Sequence, residues 1–173
     1  KNAILKPSTS DFYLKQKAFV PSSPNVLAYK ETLQGRLQFN RVSAIPRSLL
    51  SQEDRSLTQG WRSLAKAQKL RDLVLKKRLI AVLGDAGFGK SIELKALATQ
   101  LSTPDSVLIP IFSSLNKYVN HSIAEYIPET SQFADEASVL ILNGFDEIEA
   151  EHKNEAVRQI EFFAEHHPLC RVV

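Results

Sequence analysis

The chain has 173 residues, of which 43% are hydrophobic and 24% charged, with a formal net charge of +3; this is the balance of a soluble globular protein. The apolar runs at 79–83, 107–112 and 139–142 are far too short to cross a membrane, and no apolar stretch follows the basic start as it does in a signal peptide. One cysteine, Cys170, excludes an internal disulfide and suits a reducing compartment, so a cytoplasmic location is expected.

The charge is unevenly spread. Residues 1–78 hold 16 Lys/Arg against 5 Asp/Glu, a net of +11, and residues 79–173 hold 6 against 14, a net of −8. Two modules are expected, a basic segment over 1–77 and an α/β unit over 78–173. The basic segment is a candidate nucleic-acid contact, although it lacks the aromatic and glycine spacing of an RNA-binding sheet. The absence of methionine and the final Cys170-Arg171-Val172-Val173, which reads as a strand, suggest a fragment of a longer protein.

In chain order, residues 1–48 read as irregular, punctuated by Pro7, Pro21, Pro24 and Pro46, with apolar patches at Phe12-Tyr13-Leu14 and Phe19-Val20. A helix is expected over Val26 to Phe39, with Leu27, Lys30, Leu33 and Leu37 on one face. A segment this polar suits a linker or a region docked on a neighbour. Ser48 to Arg78 reads as helical, started at Ser51-Gln52-Glu53-Asp54 and faced by Leu57, Trp61, Leu64 and Ala65, then by Leu70, Leu73 and Val74. Lys76-Lys77-Arg78 suit the negative end of its dipole.

From Leu79 the pattern alternates. Strands are expected at 79–83, at 107–112 with Pro110 marking an edge or bulge, at 139–142 as a run buried on both faces, and from Arg171. Helices are expected at 90–101, at 121–127 with Asn120 or Ser122 as cap, and at 149–165 with Val157, Ile160, Phe163 and Ala164 inward and Pro168 beyond its end. Repeated β–α units imply a parallel sheet covered by helices on both faces.

Between the first strand and its helix lies Gly84-Asp85-Ala86-Gly87-Phe88-Gly89-Lys90-Ser91, which fits G-x-x-x-x-G-K-[ST] at every position. A triphosphate carries several negative charges that must be met without a bulky side chain in the way. Glycines let the backbone curl so that N–H groups point inward, and the helix N-terminus adds partial positive charge. Lys90 is expected on the β- and γ-phosphates and Ser91 on Mg²⁺. The competing structural reading is an ordinary strand–helix turn. About 50 residues on, Val139 to Glu147 ends a buried strand in acidic residues. In a parallel sheet such carboxyl ends meet at the ligand. Asp146 is then a candidate metal ligand and, with Glu147, a candidate catalytic group toward an attacking water. Alternatively, these acids merely cap the next helix. Of the other reactive residues, His166-His167 suit helix-end carbonyls, Cys170 suits the core and Trp61 suits packing.

Gly84–Ser91, Ile109 to Leu115 and Leu140 to Glu147 together resemble the NACHT NTPases, within the STAND class of signalling ATPases, over roughly residues 78–173. The resemblance implies a P-loop NTPase fold, of which this chain holds the front part. It also implies ATP or GTP with Mg²⁺ as ligands, and a nucleotide-controlled switch that self-associates in innate immune or antiviral signalling. Effector and sensor regions would lie elsewhere. The first acid of the family motif is Asn143 here, a metal-shell position now without charge. Slow or absent hydrolysis is expected, and a degenerate module acting as a protein- or nucleic-acid-binding scaffold is the alternative. A small P-loop kinase or a DNA-directed ATPase is a third reading; the Asp146-Glu147 pair argues against the kinase.

Overall fold

The computed structural model describes residues 24–37, 69–85 and 87–173. The apolar patches of residues 1–23, the expected cap at Ser51–Asp54 and the face carried by Leu57, Trp61 and Leu64 lie outside the described residues, as does Ala86. The described elements are α1 (Pro24–Arg36), α2 (Leu70–Lys76), α3 (Lys90–Leu101), β1 (Ile109–Ser114), α4 (Ile123–Tyr126), β2 (Ser138–Asn143), α5 (Ala150–His166) and β3 (Arg171–Val172). Single 3-10 turns span Pro128–Ser131, Asp135–Ala137 and Phe145–Glu147.

The three strands form a parallel sheet in the order β1-β2-β3. Along β2 the side chains alternate between two apolar layers, as the two-residue strand period requires. Val139 and Ile141 pack with Leu33 and Leu37, Leu70 and Val74 of α2, and Leu94, Leu97, Ala98 and Leu101 of α3. Leu140 points the other way, into a cluster with Ile111, Ile123 of α4, Ala156, Phe163 and Ala164 of α5, Cys170 and Val172. Both faces are therefore covered by helices, which is why β2 reads as an unbroken apolar run. This is the α/β architecture expected from the alternating pattern.

Among the described residues β1 is an edge strand, paired only with β2, and so it tolerates Pro110, which has no N–H to donate. It starts two residues later than the apolar run. Ser106 accounts for the delay: its hydroxyl accepts from Leu108 N at 3.2 Å and holds a turn there. α1 covers this edge. Tyr29 donates to Pro110 O at 3.1 Å, and burial pushes its hydroxyl pKa up to about 12. Lys30 is buried as well and donates to Ser106 O at 2.6 Å and Thr103 O at 3.3 Å, closing the turn after α3. The inward face of α1 is Val26, Lys30, Leu33 and Leu37. Leu27, expected inward, is 36% exposed because Val26 takes the place against Ile109 and Ala137.

Two further expectations need correction. The 79–83 run makes one parallel bridge, Leu79 to Val172, with Ile80 N donating to Val172 O and Val172 N to Arg78 O. It does not continue as a ladder. Ile80 and Val82 pack inward while Leu79 and Leu83 stand out at 54% and 61% exposure, so only one face of the run is covered. In α5 the inward stripe is Ala156, Ile160, Phe163 and Ala164; Val157 is 41% exposed, and the small Ala156 takes the buried position. α4 is started by Ser122, in a reciprocal pair with Glu125: Ser122 Oγ accepts from Glu125 N and Glu125 Oε2 from Ser122 N, each at 3.2 Å. That pair holds the Glu125 carboxyl below its usual pKa. No helix among the described residues is long and apolar enough to cross a membrane.

Candidate functional site

The parallel sheet directs the end of β2 and the loop before α3 to the same side. Although the 79–83 run comes first in sequence, its bridge is to β3, so β3 lies between it and β2. The loop must then turn sharply into α3. Gly87 and Gly89 do this at φ of +80° and +75°, values that side-chain-bearing residues adopt only under strain. Phe88 N donates to Asp85 O at 3.3 Å across the turn. Gly89 is the N-cap of α3 and has no side chain to cap it, so the first-turn N–H groups face outward from a 12-residue helix. Phe88 is 64% exposed at the loop tip.

Lys90 bends back over this loop. Its ammonium donates to Gly84 O at 2.7 Å and Asp85 O at 3.2 Å, and it lies 3.3 Å from Asp146 Oδ2. The Lys90 hydrogen bond holds the Asp146 carboxyl below its ordinary pKa. The first residue of α3 and a residue of the turn after β2, 56 positions apart in sequence, thus meet as an ion pair.

The β2 end is built around Gly144, in the left-handed region at φ +79°. It lets the chain leave the strand and form the 145–147 turn, closed by Glu147 N donating to Gly144 O at 3.0 Å. The Glu147 carboxylate folds back over this glycine. A Cβ there would lie 3.2 Å from Glu147 Oε2. Asn143 is buried, and its carbonyl accepts from Leu115 N at 2.7 Å. Lys153, in the first turns of α5, donates to Asp146 O at 3.0 Å and pins the turn from below.

Of the expected site residues, Lys90 and Asp146 are brought into contact, with Gly84, Asp85, Gly87 and Gly89 forming the loop around the ammonium. Ser91 is in the first turn of α3, half-buried, and Asn143 is at the end of β2; neither side chain joins the hydrogen bonds of the pair. Glu147 turns toward Gly144 rather than toward Lys90. Lys153 is the residue the sequence reading missed. Its signal was a cation seven positions past Asp146, one turn into a helix whose start points at the site.

The other reactive residues have structural roles. His166 Nδ1 pairs with Phe162 O at 2.8 Å, and His167 Nδ1 lies 2.9 Å from Asp135 Oδ1. Cys170 is buried, and burial pushes its thiol pKa up to about 12. Glu149, Glu151 and His152 gather at the start of α5 with ligand atoms within 4.8 Å of one another. Carboxylates at a helix N-terminus are accounted for by its dipole, and His152 Nδ1 is 3.0 Å from Asn120 Oδ1. Comparison of the chain with protein-family models, with curated proteins and with solved structures returns no match.

Proposed function

We propose that this chain is the nucleotide-binding switch module of a STAND/NACHT-type P-loop NTPase, taking ATP or GTP with Mg²⁺. The observation that carries the reading is the Lys90–Asp146 contact: the lysine of a complete phosphate-loop motif lies 3.3 Å from a carboxylate on the turn that follows β2. That juxtaposition is what a triphosphate and its counter-cation need, and an ordinary strand–helix turn has no reason to supply it.

The residues fit such a ligand. Two left-handed glycines and the uncapped start of α3 offer backbone N–H groups to phosphate oxygens, with no side chain on Gly87 to obstruct approach. Lys90 supplies the mobile cation. Ser91, Asn143 and Asp146 would hold Mg²⁺, which neutralises phosphate charge when bound. Glu147 is the group for orienting water, once its carboxylate leaves Gly144. With Asn143 in place of an acid, the metal shell loses one charge, and turnover is slow. Slow turnover suits a switch, in which bound nucleotide keeps a self-associating state alive. This reading assigns sensing and effector output in defence signalling to regions outside these residues.

Titration of fluorescent ATP and GTP, with and without Mg²⁺, tests it. Binding is expected, and Lys90→Ala should weaken it by about 10- to 100-fold, the worth of one hydrogen bond to a charged group. Absence of binding under every condition would sink the reading in favour of a scaffold without turnover, for which Asn143 is the specific support.

A further inference from the structure

An ammonium has three donors. On Lys90 two point at loop carbonyls, Gly84 O and Asp85 O, and the third direction faces Asp146 Oδ2. The carbonyls belong to the loop itself. The carboxylate belongs to the 145–147 turn, which is held in place by Glu147 N on Gly144 O and by Lys153 Nζ on Asp146 O. Asp146 is therefore presented to Lys90 by a built support. It is also 59% exposed against 22% for Lys90, so it sits on the open side of the cation, where an anion would arrive.

We propose that Asp146 is an internal competitor for the phosphate site: its carboxylate occupies Lys90 until a nucleotide phosphate displaces it, and the displacement breaks the tie between the 145–147 turn and the loop. This rests on the nucleotide-binding reading and adds its regulation. Two negative groups compete for one ammonium. An incoming phosphate must displace the carboxylate and then tolerate it nearby, since Asp146 stays tethered through its backbone to Lys153. A divalent cation removes that repulsion by taking the freed carboxylate as a ligand. Anion and cation binding are then coupled: the metal-free nucleotide meets the full competition, and the metal complex does not. Displacement also gives the chain a moving part, because the turn loses its tie to the loop and Glu147 sits on that turn.

Asp146→Asn keeps the shape and removes the charge. The pair is partly exposed, so its worth is modest, and ATP affinity in EDTA should rise about two- to fivefold. The gain in affinity on adding Mg²⁺ should shrink at the same time, because the carboxylate ligand is gone. Asp146→Ala should act in the same direction, and thermal melts of both variants check that they fold. Amide exchange at residues 144–148 should speed up in the wild type on adding inorganic pyrophosphate without metal, and much less in Asp146→Asn. If the wild type binds ATP through Lys90 but both variants bind it equally or more weakly in EDTA, the competitor is refuted and nucleotide binding stands. If neither wild type nor variants bind, the nucleotide reading falls and this inference with it.

Discussion

At the scale of single residues, Gly144 does two things that no other residue type can do at once. It adopts φ +79°, and it leaves space for the Glu147 carboxylate, which a Cβ would approach to 3.2 Å. Gly144→Ala should therefore cost about 1–3 kcal/mol from left-handed strain alone, read as a lower midpoint in urea, and should also swing Glu147 off the glycine. A cost below about 0.5 kcal/mol would mean that the turn rearranges freely. Cys170 yields a pH prediction. Burial raises its folded pKa to about 12 from an ordinary value near 9, so the thiol stays neutral in the fold and ionises on unfolding. Its contribution is intact below about pH 9 and is lost as pH rises toward 12, by about 1.4 kcal/mol per pH unit in the steep region. Cys170→Ala should flatten the stability profile between pH 9 and 10.5, at the cost of a constant packing loss. An unchanged slope would show that the thiol is solvated. The sharp turn into α3 was legible from the glycines of the loop motif, since Gly87 and Gly89 both take positive φ. That the loop and the acidic end of the 139–142 run would meet was expected too; the direct Lys90–Asp146 ion pair was not, because it depends on where two segments fall in the sheet order.

At the scale of elements, apolar periodicity located α1, α3, α4, α5 and the three strands to within a few residues, since burial on one face leaves a 3.6- or two-residue imprint, whereas the helix expected over 48–78 is broken at the extended Lys69 and its described part is only Leu70–Lys76. The errors have local causes. Ser106 delays β1, and Val26 and Ala156 displace Leu27 and Val157 from the buried stripes because packing partners, invisible in sequence, decide between adjacent apolar residues. The run at 79–83 reads as a strand from composition, yet it makes a single bridge and leaves Leu79 and Leu83 exposed, and composition does not record coverage. α1 is the instructive element. It was expected as a polar helix of the basic segment, and its Leu33 is 1% exposed in the layer between α3 and β2. Leu33→Ala should destabilise the α/β unit by about 2–5 kcal/mol in denaturant melts, whereas Leu27→Ala should change it by less than about 0.5 kcal/mol. Equal small effects would mean that α1 is dispensable to the core.

At the scale of the molecule, the sheet order joins fold to site. Because β3 runs between the loop-bearing segment and β2, the loop and the acidic turn reach each other only over the end of β3, and the contact is made by long or turn-borne side chains rather than by neighbouring strands. Asn143 is buried at the last position of β2, opposite Ser114 in register, three residues before Asp146. A carboxylate there would be a buried negative group three positions before Asp146 and four before Glu147. Asn143→Asp should therefore be less stable than the wild type at pH 7, by about 1–3 kcal/mol for a buried charge without a full set of partners. Burial raises the pKa of such an acid, so the folded state holds its proton longer than the unfolded chain does. The penalty is then nearly absent near pH 4 and grows as pH rises to 7. On the nucleotide-binding proposal, Mg²⁺ with ATP should reverse it, because the added carboxylate would complete the proposed metal shell, and the rise in melting temperature on adding both should be larger for the variant than for the wild type. Melts at pH 5 and pH 7, with and without Mg²⁺ and ATP, separate the two effects. A variant as stable as wild type at pH 7 and no more responsive to Mg²⁺ would show that position 143 faces no metal site, and that the absent charge has another origin than a switch tuned to hold its nucleotide.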